Sequence, residues 1–361
     1  MRYRTLGRSG LIVSEICLGT MTFGGDGFWT AIGRQPQDEA DALVRGAFDA
    51  GVNFFDTANI YSNGVSELML GAAIRNLGLR RDELVIATKA HGRVADVLGP
   101  DASDSARLEA ERRSRAINVS GQSRKHLMDA VDASLERLGL DHIDLYQIHG
   151  FDPVTPMEEM LEALDDIVRS GRVHYLGLCN LAAWQVMKAL GIQGTKGLSR
   201  FQSVQMYYSI AGRDIEREIV PLAQDQGLAI LPWSPLAGGF LSGKFSREGA
   251  GPNDARRTIF DFPPVDKAKG FDIIHAMRPI AEAHGSSVAQ IALAFLLHQK
   301  FVTSVIIGAK TQDQLIANLA AKDLRLDSAQ MKTLCEVSKL STEYPGWMLE
   351  RMGQDRLSQL S

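Results

Sequence analysis

The chain has 361 residues, 45% hydrophobic and 23% charged, enough apolar side chain to bury a large core in a barrel-sized domain. Lys and Arg number 39 against 43 Asp and Glu, a net charge of −4. That balance speaks against a nucleic-acid or anionic-membrane surface, which needs concentrated positive charge. The opening "MRYRTLGRSG" lacks an apolar signal core, the longest strongly apolar run, "IALAFLL", is too short to span a bilayer, and Cys17, Cys179 and Cys335 are too scattered for a disulfide framework or a cysteine zinc site. A soluble protein of the reducing cytoplasm is expected, with no membrane and no nucleic acid among its partners.

In chain order, "YRTLGRSGLIV" predicts an N-terminal hairpin and "IVSEICLGT" the first strand. A helix over "DEADALVRGAFDAG", a strand at "VNFFDTA", a helix over "VSELMLGAAIRNLG" and a third strand at "LVIATKA" follow. An insertion rich in Arg and Glu, residues 91–122, comes next and is expected to form a mobile flap over the substrate pocket. "RKHLMDAVDASLERLG" then reads as helix, "IDLYQIHG" as the fourth strand and "MEEMLEALDDIVRSG" as helix. "VHYLGLCN", "FQSVQMY" and "LAILPWSP" are strands five to seven, followed by a second insertion at residues 237–269. "SVIIGA" is the eighth strand, "QDQLIANLAA" the helix after it, and residues 322–361 add a tail with one more helix.

Eight strands alternating with helices predict an α/β fold of the (β/α)8 TIM-barrel class, as a single domain over residues 1–361. Both long insertions then fall on the C-terminal face of the barrel, where active sites of this architecture are built. A doubly wound open sheet is the competing fold, and it ordinarily carries a G-x-G-x-x-G after an early strand, which this sequence lacks.

Residues 236–245, "LAGGFLSGKF", have the G-x-x-x-x-G-K spacing of a triphosphate-binding loop, with Gly238, Gly243 and Lys244 in register. Phe245 stands where a Mg²⁺-binding hydroxyl is needed, and a Gly- and Pro-broken stretch stands where a helix should open. Phosphoryl transfer is therefore not expected.

The chemistry sits at strand ends. Asp56 closes the second strand with Tyr61 five residues on, Lys89 ends the third and His149 the fourth. Singly these could be a helix cap, a rim aromatic, a surface amine and a structural histidine. Together they suit proton transfer: a phenol titrates at about 10 and is a donor at neutral pH. A nearby ammonium lowers that value by favouring phenolate, and an aspartate beside the lysine keeps the ammonium charged despite burial. The imidazole can orient a carbonyl or relay the proton.

"FFDTANIYSNGVSE", the lysine of "VIATKA" and "LDHIDLYQIHG" resemble the three signature regions of the aldo-keto reductases, and the likeness runs over nearly the whole chain. The resemblance implies an NADP(H)-dependent oxidoreductase that interconverts an aldehyde or ketone and its alcohol, with Asp56, Tyr61, Lys89 and His149 as the catalytic tetrad and Tyr61 as general acid. It places Asn180 and Gln205 on the nicotinamide carboxamide, with Cys179 where serine is usual, and Trp233 against the nicotinamide ring. Ser234, Leu236, Gly238 and Lys244 would meet the pyrophosphate through a backbone that glycine allows to come close. Gly308 and Lys310 follow the eighth strand, with Lys310 on the 2′-phosphate, while Gln314 and Asn318 lie around the adenine and Ala317 replaces the usual glutamate. Trp29 is the expected substrate wall, and "GFDP" after His149 lacks the tryptophan many relatives have, which widens the pocket.

Two other functions compete. Lys89 could form a Schiff base as in barrel aldolases, although Asp56 beside it favours the protonated amine. The chain also resembles the β-subunits of potassium channels, which would make it a redox-sensing, cofactor-binding accessory subunit. A metal-dependent hydrolase is discounted, because one histidine and one aspartate at the strand ends are too few ligands. The sequence leaves the substrate, the reaction direction and the oligomeric state open.

Overall fold

The computed structural model describes residues 1–25, 27–96, 98, 101–245, 247 and 256–359. Strands β1 (Tyr3–Thr5) and β2 (Ile12–Ser14) form an antiparallel hairpin with Tyr3 opposite Ser14. Eight parallel strands follow: β3 (Ile16–Gly19), β4 (Phe54–Asp56), β5 (Val85–Ala90), β6 (Ile143–Ile148), β7 (Val173–Cys179), β8 (Phe201–Tyr207), β9 (Ala229–Trp233) and β10 (Val305–Ile307). Their order is β10-β3-β4-β5-β6-β7-β8-β9. A bridge between Ile230 and Val302, with Thr303 N–H donating to Ile230 O at 2.9 Å, brings β9 back to the chain entering β10 and completes the (β/α)8 barrel.

The run "IVSEICLGT" is two elements where one strand was expected. Ile12–Ser14 pairs with β1, and Ile16–Gly19 pairs with β4 and β10. The partner changes at Glu15, which is buried and accepts from Arg2 through both its backbone N–H and its Nε. No turn residue marks the change, so periodicity alone runs through it.

Helices occupy the expected stretches at Gln37–Asp49, Val65–Asn76, Arg124–Leu138, Met157–Arg169 and Gln312–Ala320. Their apolar faces pack on the outer side of the strands, burying leucines and valines worth about 1.5–3 kcal/mol each. Helices Val65–Asn76 and Arg124–Leu138 cross so closely at Gly71 that a Cβ there would sit 2.1 Å from Leu138 O. Inside the barrel, Leu6 and Val13 of the hairpin pack with Cys17, Phe54, Val85 and Leu145. The hairpin thus plugs the N-terminal end and leaves the C-terminal mouth as the accessible one.

The first insertion carries a helix, Asp104–Ser114, capped by Ser103, whose hydroxyl accepts from Ala106 N–H. None of its described side chains is buried, and Leu108 is 69% exposed. It stands on the surface and lines no part of the cleft described below. With its strongly charged composition, the helix has no apolar stripe with which to dock. The second insertion contributes Ala237–Ser242 and Arg256–Ile259 to that cleft, while residues 248–255 lie outside the described part. Among the described residues no single helix is long and apolar enough to cross a membrane.

Candidate active site

Parallel register brings the strand-end side chains together. Asp56 is level with Ala87, Lys89 with Gln147, and Cys179 with Gln205. Lys89 is fully buried and spends all three ammonium protons, on Asp56 Oδ2 at 2.5 Å, Thr57 O at 2.8 Å and Tyr61 Oη at 3.3 Å. The other carboxylate oxygen of Asp56 accepts from Gln147 Nε2 at 2.9 Å and Gln205 Nε2 at 3.0 Å. Gln205 Nε2 also donates to Gln147 Oε1 at 3.1 Å, where the Cys179 thiol donates as well at 3.7 Å. A buried ion pair is tolerated when its remaining lone pairs are met in this way.

Burial works to lower the pKa of Lys89, but Asp56, with Tyr61 and Cys179 behind it, outweighs burial and holds the ammonium above its usual value. For Tyr61 the order is reversed. Burial raises the phenol, Lys89 opposes it, Asp56 adds to it, and the net shift is upward. Lys89 lowers the phenol as expected, but desolvation of phenolate exceeds the attraction of an ammonium already committed to Asp56, so the net direction is upward. Burial likewise pushes the Cys179 thiol up.

Tyr61 begins a short turn, Tyr61–Gly64, in which Ser62 and Asn63 have φ of 48° and 54°. Left-handed backbone at two non-glycine residues is strained, and the Ser62 hydroxyl, donating to Phe23 O at 2.9 Å, helps hold it. His149 lies one residue beyond β6, with its ring edge-on to Tyr61 at 5.8 Å between centroids. Burial first, then Lys89 and His91, hold its pKa well below the usual histidine range, so the imidazole is neutral. Trp29 flanks the other side of Tyr61 at 5.6 Å. From Trp29 a chain of ring contacts runs through Phe28, Phe260 and Phe262 to Trp233, each step between 5.1 and 5.8 Å.

Asn180 and Trp233 meet directly: Trp233 Nε1 donates to Asn180 Oδ1 at 2.9 Å, and Asn180 Nδ2 to His149 O at 3.1 Å. Asn180, Ser234 and Ala237 all have positive φ, of 58°, 52° and 50°, so strained backbone recurs around the mouth.

Beside the mouth lies a cleft of about 580 Å³. Ser234, Leu236, Gly238 and Lys244 stand on one side and Gly308, Lys310, Gln314 and Asn318 on the other. The anticipated residues therefore fall into two adjoining groups joined at Trp233–Ser234, one around Tyr61 and one along the cleft. Gly238 has φ of 66°, and a Cβ on it would lie 2.3 Å from Phe262 O. Gln314 and Asn318 turn inward: Gln314 Oε1 accepts from Lys310 N–H at 2.8 Å and Asn318 Nδ2 donates to Gly308 O at 3.1 Å, which shapes the loop that carries Lys310.

Sequence reasoning overlooked Arg256 and Arg257, which line the same cleft. Arg257 ties down the second insertion, donating to Ala237 O at 2.6 Å and Pro263 O at 2.9 Å and pairing with Asp261. Arg256 packs over the Phe260 ring, and its Nε is buried with no hydrogen-bond partner among the described residues. The signal was a basic pair set just before "TIFDF", but no local pattern folds that insertion over the cleft. Lys244, Lys310, Arg256 and Arg257 give the cleft four cationic groups, Gly238 lets backbone approach, and Arg256 has an unmet donor among the described residues. These features fit a polyanionic dinucleotide.

A profile described as "Aldo/keto reductase family" matches residues 15–339. Among curated proteins, the chain is 35% identical to an uncharacterized oxidoreductase, YrpG, of Bacillus subtilis, over 93% of this chain and 96% of that one. Versiconal hemiacetal acetate reductase of Aspergillus parasiticus is 34% identical over 96% of this chain and 99% of its own. A probable voltage-gated potassium channel subunit beta of Oryza sativa subsp. japonica is 34% identical over 90% of this chain and 92% of its own.

Proposed function

Because the chain belongs to the aldo/keto reductase family of oxidoreductases, we propose that it interconverts an aldehyde or ketone and the corresponding alcohol with NADP(H). The observation that carries this reading is the sequence of contacts from Asp56 through Lys89 to Tyr61, at 2.5 and 3.3 Å, opening at the barrel mouth with a neutral His149 beside the phenol.

Tyr61 is the general acid. Its phenol is protonated at neutral pH and donates to the substrate oxygen as that oxygen gains charge. Lys89 then stabilises the phenolate, and Asp56 ensures that Lys89 is cationic when this is required. His149 donates from its neutral ring to the same oxygen and fixes the carbonyl's direction. A nicotinamide held here would supply or accept the hydride. Trp233 would hold that ring and Asn180 its carboxamide. Gln205 spends its N–H groups on Asp56 and Gln147 and so presents Oε1 as an acceptor. Cys179 is turned to Gln147 and gives the carboxamide no donor. Lys244 and Arg256 would hold the diphosphate and Lys310 the 2′-phosphate, which would favour NADP(H) over NAD(H). Trp29 and the rings beside it suit a flat or apolar carbonyl substrate. A Schiff-base role for Lys89 is disfavoured, since its three protons are bonded and its charge is reinforced.

The test is NADPH titration by quenching of tryptophan fluorescence, followed by turnover of a panel of aromatic and aliphatic aldehydes. Tight NADPH binding with turnover abolished in Tyr61→Phe agrees with the proposal. NADPH binding with no turnover of any carbonyl or alcohol would sink the enzymatic reading in favour of a sensing role.

A further inference from the structure

The opposite end of the barrel carries a second convergence of side chains. His142 precedes β6, Asp144 is the second residue of β6 and His174 the second of β7, and the pairing of Ile143 with Val173 sets them side by side. The two imidazoles stack with centroids 4.3 Å apart and 26° between planes. His142 Nε2 and His174 Nδ1 lie 3.9 and 4.0 Å from one and the same atom, Asp144 Oδ1. Ligand atoms of all three residues fall within 4.8 Å of one another.

The carboxylate is aimed. Its other oxygen, Oδ2, accepts from Ile86 N–H at 2.7 Å and from Arg81 Nη2 at 2.6 Å, and Arg81 Nη2 also reaches His142 O at 3.1 Å. Oδ1 is left facing the two rings at separations too long for hydrogen bonds. A tetrahedral ion with bonds of about 2.0–2.1 Å to nitrogen and oxygen places neighbouring ligand atoms about 3.3 Å apart. Ring rotations moving each nitrogen by less than about 1 Å close that gap. Both rings reach solvent, with side chains 29% and 47% exposed, so they can turn and water can complete the coordination.

We propose that His142, Asp144 and His174 form a binding site for one divalent transition metal, zinc by preference. Two imidazoles and one carboxylate are a ligand set that zinc accepts, and Arg81 acts as the outer partner that orients the carboxylate. Its positive charge also weakens attraction for a cation. The site lies at the N-terminal ends of β6 and β7, far from the Tyr61 mouth, where a bound ion ties adjacent strand ends together and adds to stability. One histidine and one aspartate at the catalytic strand ends argued only against a metal-dependent hydrolase there, and these three residues lie at the other ends.

The test uses the full, tag-free chain. Calorimetric titration with zinc is expected to show one saturable site per chain and a raised thermal unfolding midpoint, and cobalt is expected to give a visible absorption band. His142→Ala and His174→Ala should each weaken zinc binding by about a hundredfold or more, and His174→Cys, which keeps a ligand at the position, should retain it. Absence of saturable zinc binding, or binding unchanged in both alanine variants, would overturn the proposal.

Discussion

The ion pair beneath Tyr61 can be dissected by replacing Lys89 with Met and Asp56 with Asn, singly and together. At the observed 2.5 Å, two unit charges in an effective dielectric of about 20 attract by roughly 6–7 kcal/mol before desolvation is counted. Each single substitution leaves the partner buried and uncompensated, since the two side chains are 0% and 3% exposed, and should cost about 3–5 kcal/mol of stability. The double variant leaves no orphaned charge, so its loss should fall short of the sum by at least about 2 kcal/mol. The pH dependence supplies a second sign. Lys89's pKa is raised in the folded wild type, so its contribution is fully present below the unfolded lysine value of about 10.4 and fades only as pH rises through the higher folded value. In Asp56→Asn the largest charge opposing burial is gone, and the folded pKa is expected to drop below the unfolded one. That variant should gain about 1.4 kcal/mol per pH unit between the two values as pH rises, where the wild type is flat. Urea unfolding midpoints at a constant m-value, taken from neutral to alkaline pH, measure both effects. Additive losses in the double variant, or a flat alkaline profile for Asp56→Asn, would refute the account of this site as a buried pair. Turnover should be lost in all three variants, the recovered double variant included.

Tyr61→Phe keeps the ring against Trp29 and His149 but removes the proton, and kcat should fall by about 10²–10⁴ with NADPH affinity unchanged; equal loss of affinity would assign Tyr61 to binding instead. Lys310→Ala should cost NADPH about tenfold or more in dissociation constant and leave NADH nearly unaffected, measured by parallel fluorescence titrations. Arg256→Ala should weaken both cofactors alike, since the diphosphate is common to them; a loss confined to NADPH would move Arg256 to the 2′-phosphate. Gly238→Ala puts a Cβ at φ of 66° against Phe262 O, and should destabilise the chain by about 1–3 kcal/mol while loosening cofactor binding. An unchanged melting temperature and cofactor affinity there would show that the loop does not need glycine.

Local pattern carried the barrel a long way. The strands are short β-rich runs closed by polar or small residues, the helices between them have one apolar face, and the order of the two determines the fold class because parallel strands need crossover helices. The convergence of Asp56, Lys89 and His149 was legible for the same reason: a polar residue at the C-terminal end of a barrel strand has few places to point. What periodicity could not show depends on which residues become neighbours. The exchange of partners at Glu15 leaves no local mark. Gln147 is an unremarked strand residue until register sets it beside Lys89, and it then meets Asp56, Gln205 and Cys179 at once. Arg256 belongs to an insertion without periodicity, and His142 and His174 are separated by a helix and a strand before the β6–β7 pairing joins them. The net direction of the Tyr61 shift was not legible because sequence reveals which charges can be close but not how much water is removed from around them, and here desolvation outweighs the lowering by Lys89. Secondary structure and strand-end chemistry are written in short-range pattern, whereas partnership, burial and the resulting protonation states arise only when the closed barrel sets distant segments within a few ångströms of each other.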